Sequence, residues 1–268
     1  MTGADGERSP SVLLTVDGER HVATLTLNRP QGLNAISRQL AAELLATCNV
    51  LNEREDVRAV IVTGAGERAF SAGADLKERR MLAQDERAAH TTAIEAAAEA
   101  LAALPMPTIA AVRGFALAGG AELAIACDLR VAAEDATFGF PEVKIGIFPG
   151  AGGALRLPRM VGSGAARDLL FTGRRITADD AFRLGLVDRL VPAEAVIEVA
   201  TELADSIAAN APLAVRAVKR ALEESQGTRP DEARRAVNAL RAALDGTADY
   251  EEGLAAFAAR RSPRFTGQ

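Results

Sequence analysis

Thr108-Ile109-Ala110-Ala111-Val112, then Leu117-Ala118-Gly119-Gly120, then Ala121-Glu122-Leu123-Ala124-Ile125-Ala126-Cys127, then Leu129-Arg130-Val131-Ala132 follow one another with little between them. The first run is apolar, short and preceded by Pro107, which reads as a buried strand; the glycines mark a tight turn; the next apolar run opens a helix that feeds another buried strand. Strand, crossover helix and strand make the unit of a parallel sheet, so the class is α/β. Upstream, Val12 to Val16 and Val22 to Leu27 flank Asp17-Gly18, a dipeptide that tolerates positive φ, and predict a β-hairpin. Leu40, Leu44, Cys48 and Leu51 share one helical face behind Ser37, a suitable N-cap. Arg58 to Thr63 reads as a buried strand, and Asp85 to Ala103 as a helix stopped by Pro105 and Pro107. Downstream, Ala136 to Phe140 is strand-like, and Thr177 with Asp180 opens a short helix that Gly185 ends. From Ala193 onward strands disappear: Ala193 to Ala209, Leu213 to Ser225, Asp231 to Leu244 and Tyr250 to Arg261 all read as helices. The expected organisation is an α/β core over residues 1–195 and a helical region over 196–268. Apolar stripes on helices that have no sheet to cover them must pack on the core, on each other or on another subunit.

Composition narrows the function. The 268 residues include 31 Lys or Arg and 36 Asp or Glu, a net charge of −5, which speaks against a general nucleic-acid binder. With 49% apolar residues, 4% aromatic and no Trp, the core is expected to be built from Ala, Leu, Val and Ile. Cys48 and Cys127 form neither a disulfide framework nor a metal-ligand spacing, and fit a reducing, cytoplasmic setting. His21 and His90 sit in different elements without an acidic or thiol cluster, so no metal site and no Ser-His-Asp triad is expected. Met1 to Ser11 lack the apolar stretch of a secretory leader. The apolar stretch from Ile94 to Cys127 is interrupted by Glu95, Glu99, Pro105, Pro107, Arg113 and Glu122, so no membrane span is expected either.

Four Gly-containing turns invite chemistry. Gly64-Ala65-Gly66-Glu67-Arg68-Ala69 matches a dinucleotide-loop spacing but does not open into an amphipathic helix, and it reads as a surface turn. Phe148 to Gly153 is rich in glycine without the Gly-Lys-Ser/Thr ending of a phosphate loop. Ser71-Ala72-Gly73-Ala74-Asp75-Leu76 and Leu117 to Glu122 each deliver small residues to a helix start, where unpaired N–H groups point outward. Two such turns facing each other hold an oxyanion; the alternative is that the glycines serve close helix-sheet packing. Glu122 stands alone in an apolar helix and faces desolvation unless paired. Glu142 follows Pro141 where the chain can double back beside it. Two carboxyl groups on one site can hold a water and divide acid and base work; as separate residues they are an ordinary helix-start and an ordinary loop carboxylate.

Asn28-Arg29-Pro30 with Leu33-Asn34-Ala35, Ala69 to Leu76, Pro107 to Val112 with Gly114 to Asp128, Phe138 to Glu142 and Phe148 to Arg159 occur in the order found in the enoyl-CoA hydratase/isomerase, or crotonase, superfamily. From about Val12 to Phe265 the chain resembles that family, most of all its hydratases. The resemblance implies a spiral of ββα units with a C-terminal helical region that mediates trimerisation, often as a hexamer of two trimers. It implies an oxyanion hole made by the N–H groups of Ala74 and Gly119 around the thioester carbonyl of an acyl-CoA. It also implies that Glu122 and Glu142 bind and activate water for addition to a 2-enoyl-CoA, Glu142 being the proton donor to C2. Coenzyme A enters as part of the substrate, past Leu33, Ala72, Gly73, Asp75 and Leu76, and no metal or redox cofactor is required. Phe257 and Arg260 fall where the family places an aromatic and a basic residue that reach a neighbouring subunit's ligand, although a lysine is the usual residue at the second position. Fatty acid or branched-chain acyl-CoA breakdown is the implied setting.

The same oxyanion hole serves several reactions. A Δ3-Δ2 enoyl-CoA isomerase, which needs only one of the carboxylates, is the alternative enzyme. Ala74 to Arg79 and the ending from Glu252 to Phe265 also resemble methylglutaconyl-CoA hydratases, and a member of that subgroup binds RNA through a lysine-rich helix. Here Lys77, Arg79 and Arg80 are soon balanced by Asp85 and Glu86, so a solvated helix face is the expected reading and no nucleic acid is expected as partner.

Overall fold

Val12–Asp17 (β1) and Val22–Leu27 (β2) form the predicted hairpin, antiparallel, with Val12 opposite Leu27. Its turn differs from expectation: the positive φ falls on His21 (φ 59) rather than on Asp17-Gly18, and Asp17 Oδ1 instead accepts the N–H groups of Glu19 and Arg20 at 3.1 Å each. The computed structural model describes residues 9–268. Met1 to Arg8, on which the expectation of no leader partly rests, lie outside the described residues.

Ala59–Gly64 (β3), Thr108–Val112 (β5), Leu129–Ala133 (β7) and Arg189–Val191 (β10) extend the hairpin as a parallel sheet in the order β1-β2-β3-β5-β7-β10. Every residue of β3 and β5 is buried, as expected for strands covered on both faces. A second sheet is made of Ala69–Ser71 (β4), Phe115–Leu117 (β6), Thr137–Gly139 (β8) and Arg175–Thr177 (β9), in the order β4-β6-β8-β9. The one sheet anticipated from the sequence is therefore two. Of its three-residue strands only β8 is anticipated from the sequence, within Ala136 to Phe140; β4, β6 and β9 are too short to show a period.

The helices are Arg38–Asn52 (α1), Leu76–Met81 (α2), Gln84–Ala102 (α3), Gly119–Ala126 (α4), Gly153–Thr172 (α5), Ala178–Arg183 (α6), Val196–Ala208 (α7), Pro212–Glu224 (α8), Pro230–Ala242 (α9) and Ala248–Ala259 (α10). Ser37 caps α1 through Leu40 N at 3.1 Å, and Thr177 caps α6 through Asp180 N at 3.2 Å. Helix α5 breaks its regular geometry at Gly162 (φ 78, ψ 157). All eight residues of α4 are buried, because it touches β5 and β7 of the large sheet and β4 and β6 of the small one. An all-round apolar helix is one that both sheets surround. The core is mostly Ala, Leu, Val and Ile as expected, but Phe70, Phe138 and Phe140 are among its largest fully buried side chains.

The division expected at 195/196 falls inside packed structure. Helix α7 buries Val196, Ala200, Ala204 and Ala208 on β2, β3, β5 and β7, so it belongs physically to the core. The helices with little of this kind of cover begin at α8. That tail is tied down by polar contacts. Lys219 is buried and donates to Met106 O (3.2 Å) and Asp128 Oδ2 (2.8 Å), while Asp249 accepts the N–H groups of Thr266 (2.6 Å) and Gly267 (2.9 Å) and so folds the C-terminus back onto α10. Among the described residues no helix is long and apolar enough to cross a membrane.

Candidate active site

Strands β4 and β6 are parallel neighbours, so the turns that leave them, Ala72 to Asp75 and Ala118-Gly119, lie side by side. Their approach requires glycine. A Cβ on Gly73 (φ 87) would lie 2.7 Å from Ala118 Cβ and 3.0 Å from Gly119 N, and one on Gly120 would overlap the Ser71 carbonyl. Both alternatives left open by the sequence are thus present together: the glycines allow close packing, and the packing presents backbone. Ile36 donates to Gly73 O (2.8 Å) and accepts from Asp75 N (3.0 Å), a parallel bridge that turns the Ala74 N–H away from Ile36. Ala118, at φ 50 and ψ −130, makes the sharp turn that starts α4 at Gly119. Among the described residues neither the Ala74 N–H nor the Gly119 N–H has a hydrogen-bond partner. An ideal Cβ on Gly119 would lie 3.8 Å from Ala74 N, so the two turns are in close contact at these residues.

One turn into α4, Glu122 is 3% exposed. Its Oε1 accepts two backbone N–H groups, from Ala151 and Gly153, each at 2.8 Å. Those donors belong to the turn that opens α5, whose Gly152 has φ 104. The Phe148 to Gly153 stretch, with no phosphate-loop ending, is thereby explained as a cradle for a carboxylate of the protein itself. Burial raises the proton affinity of Glu122; the N–H groups of Gly153 and Ala151 and the charge of Arg156 oppose it. Glu142, in the 3-10 turn Pro141–Ile145 that follows β8, is 4% exposed, and among the described residues neither of its carboxylate oxygens has a hydrogen-bond partner. Burial pushes it up to about 7, and the neighbouring Glu122 adds to the rise. Burial raises both carboxyl groups, and at Glu122 two N–H groups from the turn that opens α5 oppose the rise.

Both glutamates line a cavity of ≈ 380 Å³, together with Leu33, Ala72, Ala74, Leu76 and Gly119. Of the other residues singled out in the sequence, Gly73 lies behind the wall. The carboxylate of Asp75 is engaged elsewhere, capping α2 through Lys77 N and Glu78 N (3.1 Å each) and pairing with Arg29 Nη2 (2.9 Å). Phe257 and Arg260 do not line the cavity; Phe257 is 87% exposed at the end of α10. Sequence reading missed Thr91 and Ile94 from α3, and Phe115, Lys144, Phe148 and Arg175, which complete the walls. Arg79, expected on a solvated face, reaches Thr91 Oγ1 at 2.9 Å and lines the cavity as well. Phe140, at the end of the strand-like run Ala136 to Phe140, is buried in the core and does not line the cavity. His90 is buried on Ile36 O (3.0 Å), and among the described residues no group of three or more His, Cys, Asp or Glu is placed to hold a metal.

The sequence profile of the enoyl-CoA hydratase/isomerase family matches residues 17–268. The chain belongs to that family. It is 40% identical to an enoyl-CoA hydratase of Bacillus anthracis whose crystal structure superposes with a TM-score of 0.93, covering 96% of this chain and 100% of that one. The short-chain-enoyl-CoA hydratase of Clostridium acetobutylicum is 39% identical over 94% of this chain and 95% of its own length. The crotonyl-CoA hydratase of Syntrophomonas wolfei subsp. wolfei is 38% identical over 94% and 97%. For this member of the enoyl-CoA hydratase/isomerase family the architecture is accordingly the crotonase fold with a C-terminal helical region.

Proposed function

We propose that the protein hydrates 2-enoyl-CoA thioesters to 3-hydroxyacyl-CoA. The observation that carries this reading is a single cavity bounded by two unpaired backbone N–H groups and two buried carboxyl groups. The Ala74 and Gly119 N–H groups donate to the thioester oxygen. As water attacks C3, conjugation moves negative charge onto that oxygen, and fixed donors stabilise the charge where it develops. Glu122, with Oε1 taken up by Ala151 and Gly153, presents Oε2 to the water and accepts its proton. Glu142, protonated near neutral pH, gives a proton to C2 on the same face. The addition is redox-neutral, and the next water returns a proton from Glu122 to Glu142, so no metal or redox cofactor enters any step.

Leu33 and the Ala72 to Leu76 loop form the passage for the coenzyme A portion. The uncovered apolar side chains of the last helices fit a homotrimer or a hexamer of two trimers, in which Phe257 and Arg260 reach a neighbour's ligand. The two buried thiols, Cys48 and Cys127, fit a cytoplasmic setting. The test is the ultraviolet absorbance of crotonyl-CoA mixed with the purified protein. Loss of absorbance, reversed from 3-hydroxybutyryl-CoA, is expected, and Glu122→Gln and Glu142→Gln are each expected to lower the rate by about 10²- to 10⁴-fold with the affinity for coenzyme A kept. Shift of a 3-enoyl to a 2-enoyl thioester with no hydration identifies an isomerase and overturns the proposal.

A further inference from the structure

The side chain of Arg156 contacts the turn that holds Glu122 and does not line the cavity. Arg156 sits one turn into α5 and is mostly buried. Its Nη1 donates to Ala151 O (3.1 Å) and its Nη2 to Glu99 Oε1 (2.7 Å) on α3. The Ala151 carbonyl belongs to the peptide lying between the two peptides whose N–H groups meet on Glu122 Oε1. Holding that carbonyl on the far side therefore fixes the middle plane of a three-peptide cradle and aims its outer two donors at the carboxylate. The guanidinium also fills the space that a Cβ on Gly152 would need, so the turn has no side chain of its own to hold it. Through Glu99 the whole arrangement is anchored to α3, the helix that also supplies Thr91 and Ile94 to the cavity wall. The charged groups around Glu122 are few. Glu95 on α3 and Glu142 on the 3-10 turn are negative when ionised, and Arg156 on α5 is the cation that favours an ionised Glu122.

We infer that Arg156, braced by Glu99, is a positioning residue that holds the Ala151 to Gly153 turn so that Glu122 works as a carboxylate with one oxygen fixed and the other free for water. The consequence for turnover rests on the hydratase reading; the consequence for Glu122 itself does not. Arg156→Met is expected to lower kcat by roughly 10- to 100-fold with KM nearly unchanged, the cost of a loosened catalytic group. The acidic limb of its kcat profile is expected at higher pH, because Glu122 loses its cation and the full use of two donors. Arg156→Lys keeps the charge without the two-pronged reach, so it restores the position of the limb and only part of kcat. A readout independent of turnover is the ¹³C NMR titration of carboxyl-labelled glutamates, with Glu122→Gln giving the assignment: the Glu122 midpoint is expected to rise in Arg156→Met and to return in Arg156→Lys. Should Arg156→Met fail to fold, Glu99→Ala, at a half-exposed site, is expected to lower kcat several-fold at wild-type Tm. A Glu122 midpoint unmoved in Arg156→Met, or in Glu99→Ala an unchanged kcat, overturns the inference. A wild-type protein without hydratase turnover but with the expected midpoint shift overturns the hydratase reading and leaves this one standing.

Discussion

Among the described residues the two carboxylate oxygens of Glu142 are buried without hydrogen-bond partners, and that cost is expected to be visible in stability as well as in rate. Its carboxyl is raised from 4.5 to about 7 in the folded protein, so between these values the folded state holds a proton that the unfolded chain has released. Stability from this group is therefore full below about 4.5 and is lost as pH rises through about 7, a loss of about 3 kcal/mol by linkage. Glu142→Gln cannot ionise and escapes that loss. The variant is expected to melt above the wild type at pH 8 and level with it at pH 4, although it has lost most of its activity; parallel Tm curves across that interval would show that Glu142 is not desolvated as described. On the proposed mechanism the same proton is the one given to C2, so kcat is expected to fall as pH rises through about 7. Burial raises Glu122 as well, but two N–H donors and the charge of Arg156 oppose the rise. The sequence made both glutamates conspicuous, one by its apolar surroundings and the other by its place after Pro141. It did not show that the glycine turn before α5 serves Glu122, since a turn's donors have no sequence signature of what they face.

At the scale of elements, site geometry depends on two strand ends kept unusually close. Gly120→Ala places a methyl group against the Ser71 carbonyl, a backbone atom that moves only if β4 or α4 moves. A loss of roughly 1–3 kcal/mol is expected by denaturant titration, the range for overpacking a tight site. A drop in kcat is expected too, because Gly119 is the residue before it and carries one of the two N–H donors. Stability and kcat both at wild-type level would mean that the strand ends have slack. These elements also show where sequence reading runs out. Helices such as α1, α3 and α7 and strands such as β2 and β3 are long enough to carry a period or a full apolar run, and they were legible to within a few residues. Strands β4, β6 and β9 have three residues each, fewer than any period needs, and they owe their existence to pairing within the small sheet. The cavity walls share this limit. Ile94, Lys144 and Arg175 come from three separate elements, and only the assembled fold brings them to one space.

For the whole molecule, the tail beyond α7 raises the question of what covers it. Val218 and Leu222 are one turn apart on α8 and more than half exposed, Val237 on α9 is exposed, and Leu254 and Phe257 stand out on α10. Helix α9 buries no residue at all in the single chain. A groove of ≈ 840 Å³ runs between α8 and the ends of α3 and α4, with Val215, Val218, Leu222 and Met160 among its walls. The core could not bury these side chains, because its sheet faces are already covered by α4 and α7. Amphipathic helices left this way are stable only when their apolar face finds another surface, and copies of the same chain offer one in closed symmetric form. Light scattering is expected to give three or six times the 28.0 kDa chain mass. Leu222→Glu, which introduces a charge without touching either glutamate, is expected to shift the protein to smaller species and to lower its Tm, because the apolar face of α8 then returns to water. A wild-type protein that is monomeric at micromolar concentration would show that the tail covers itself, and the placement of Phe257 and Arg260 at a neighbour's ligand would fall with it.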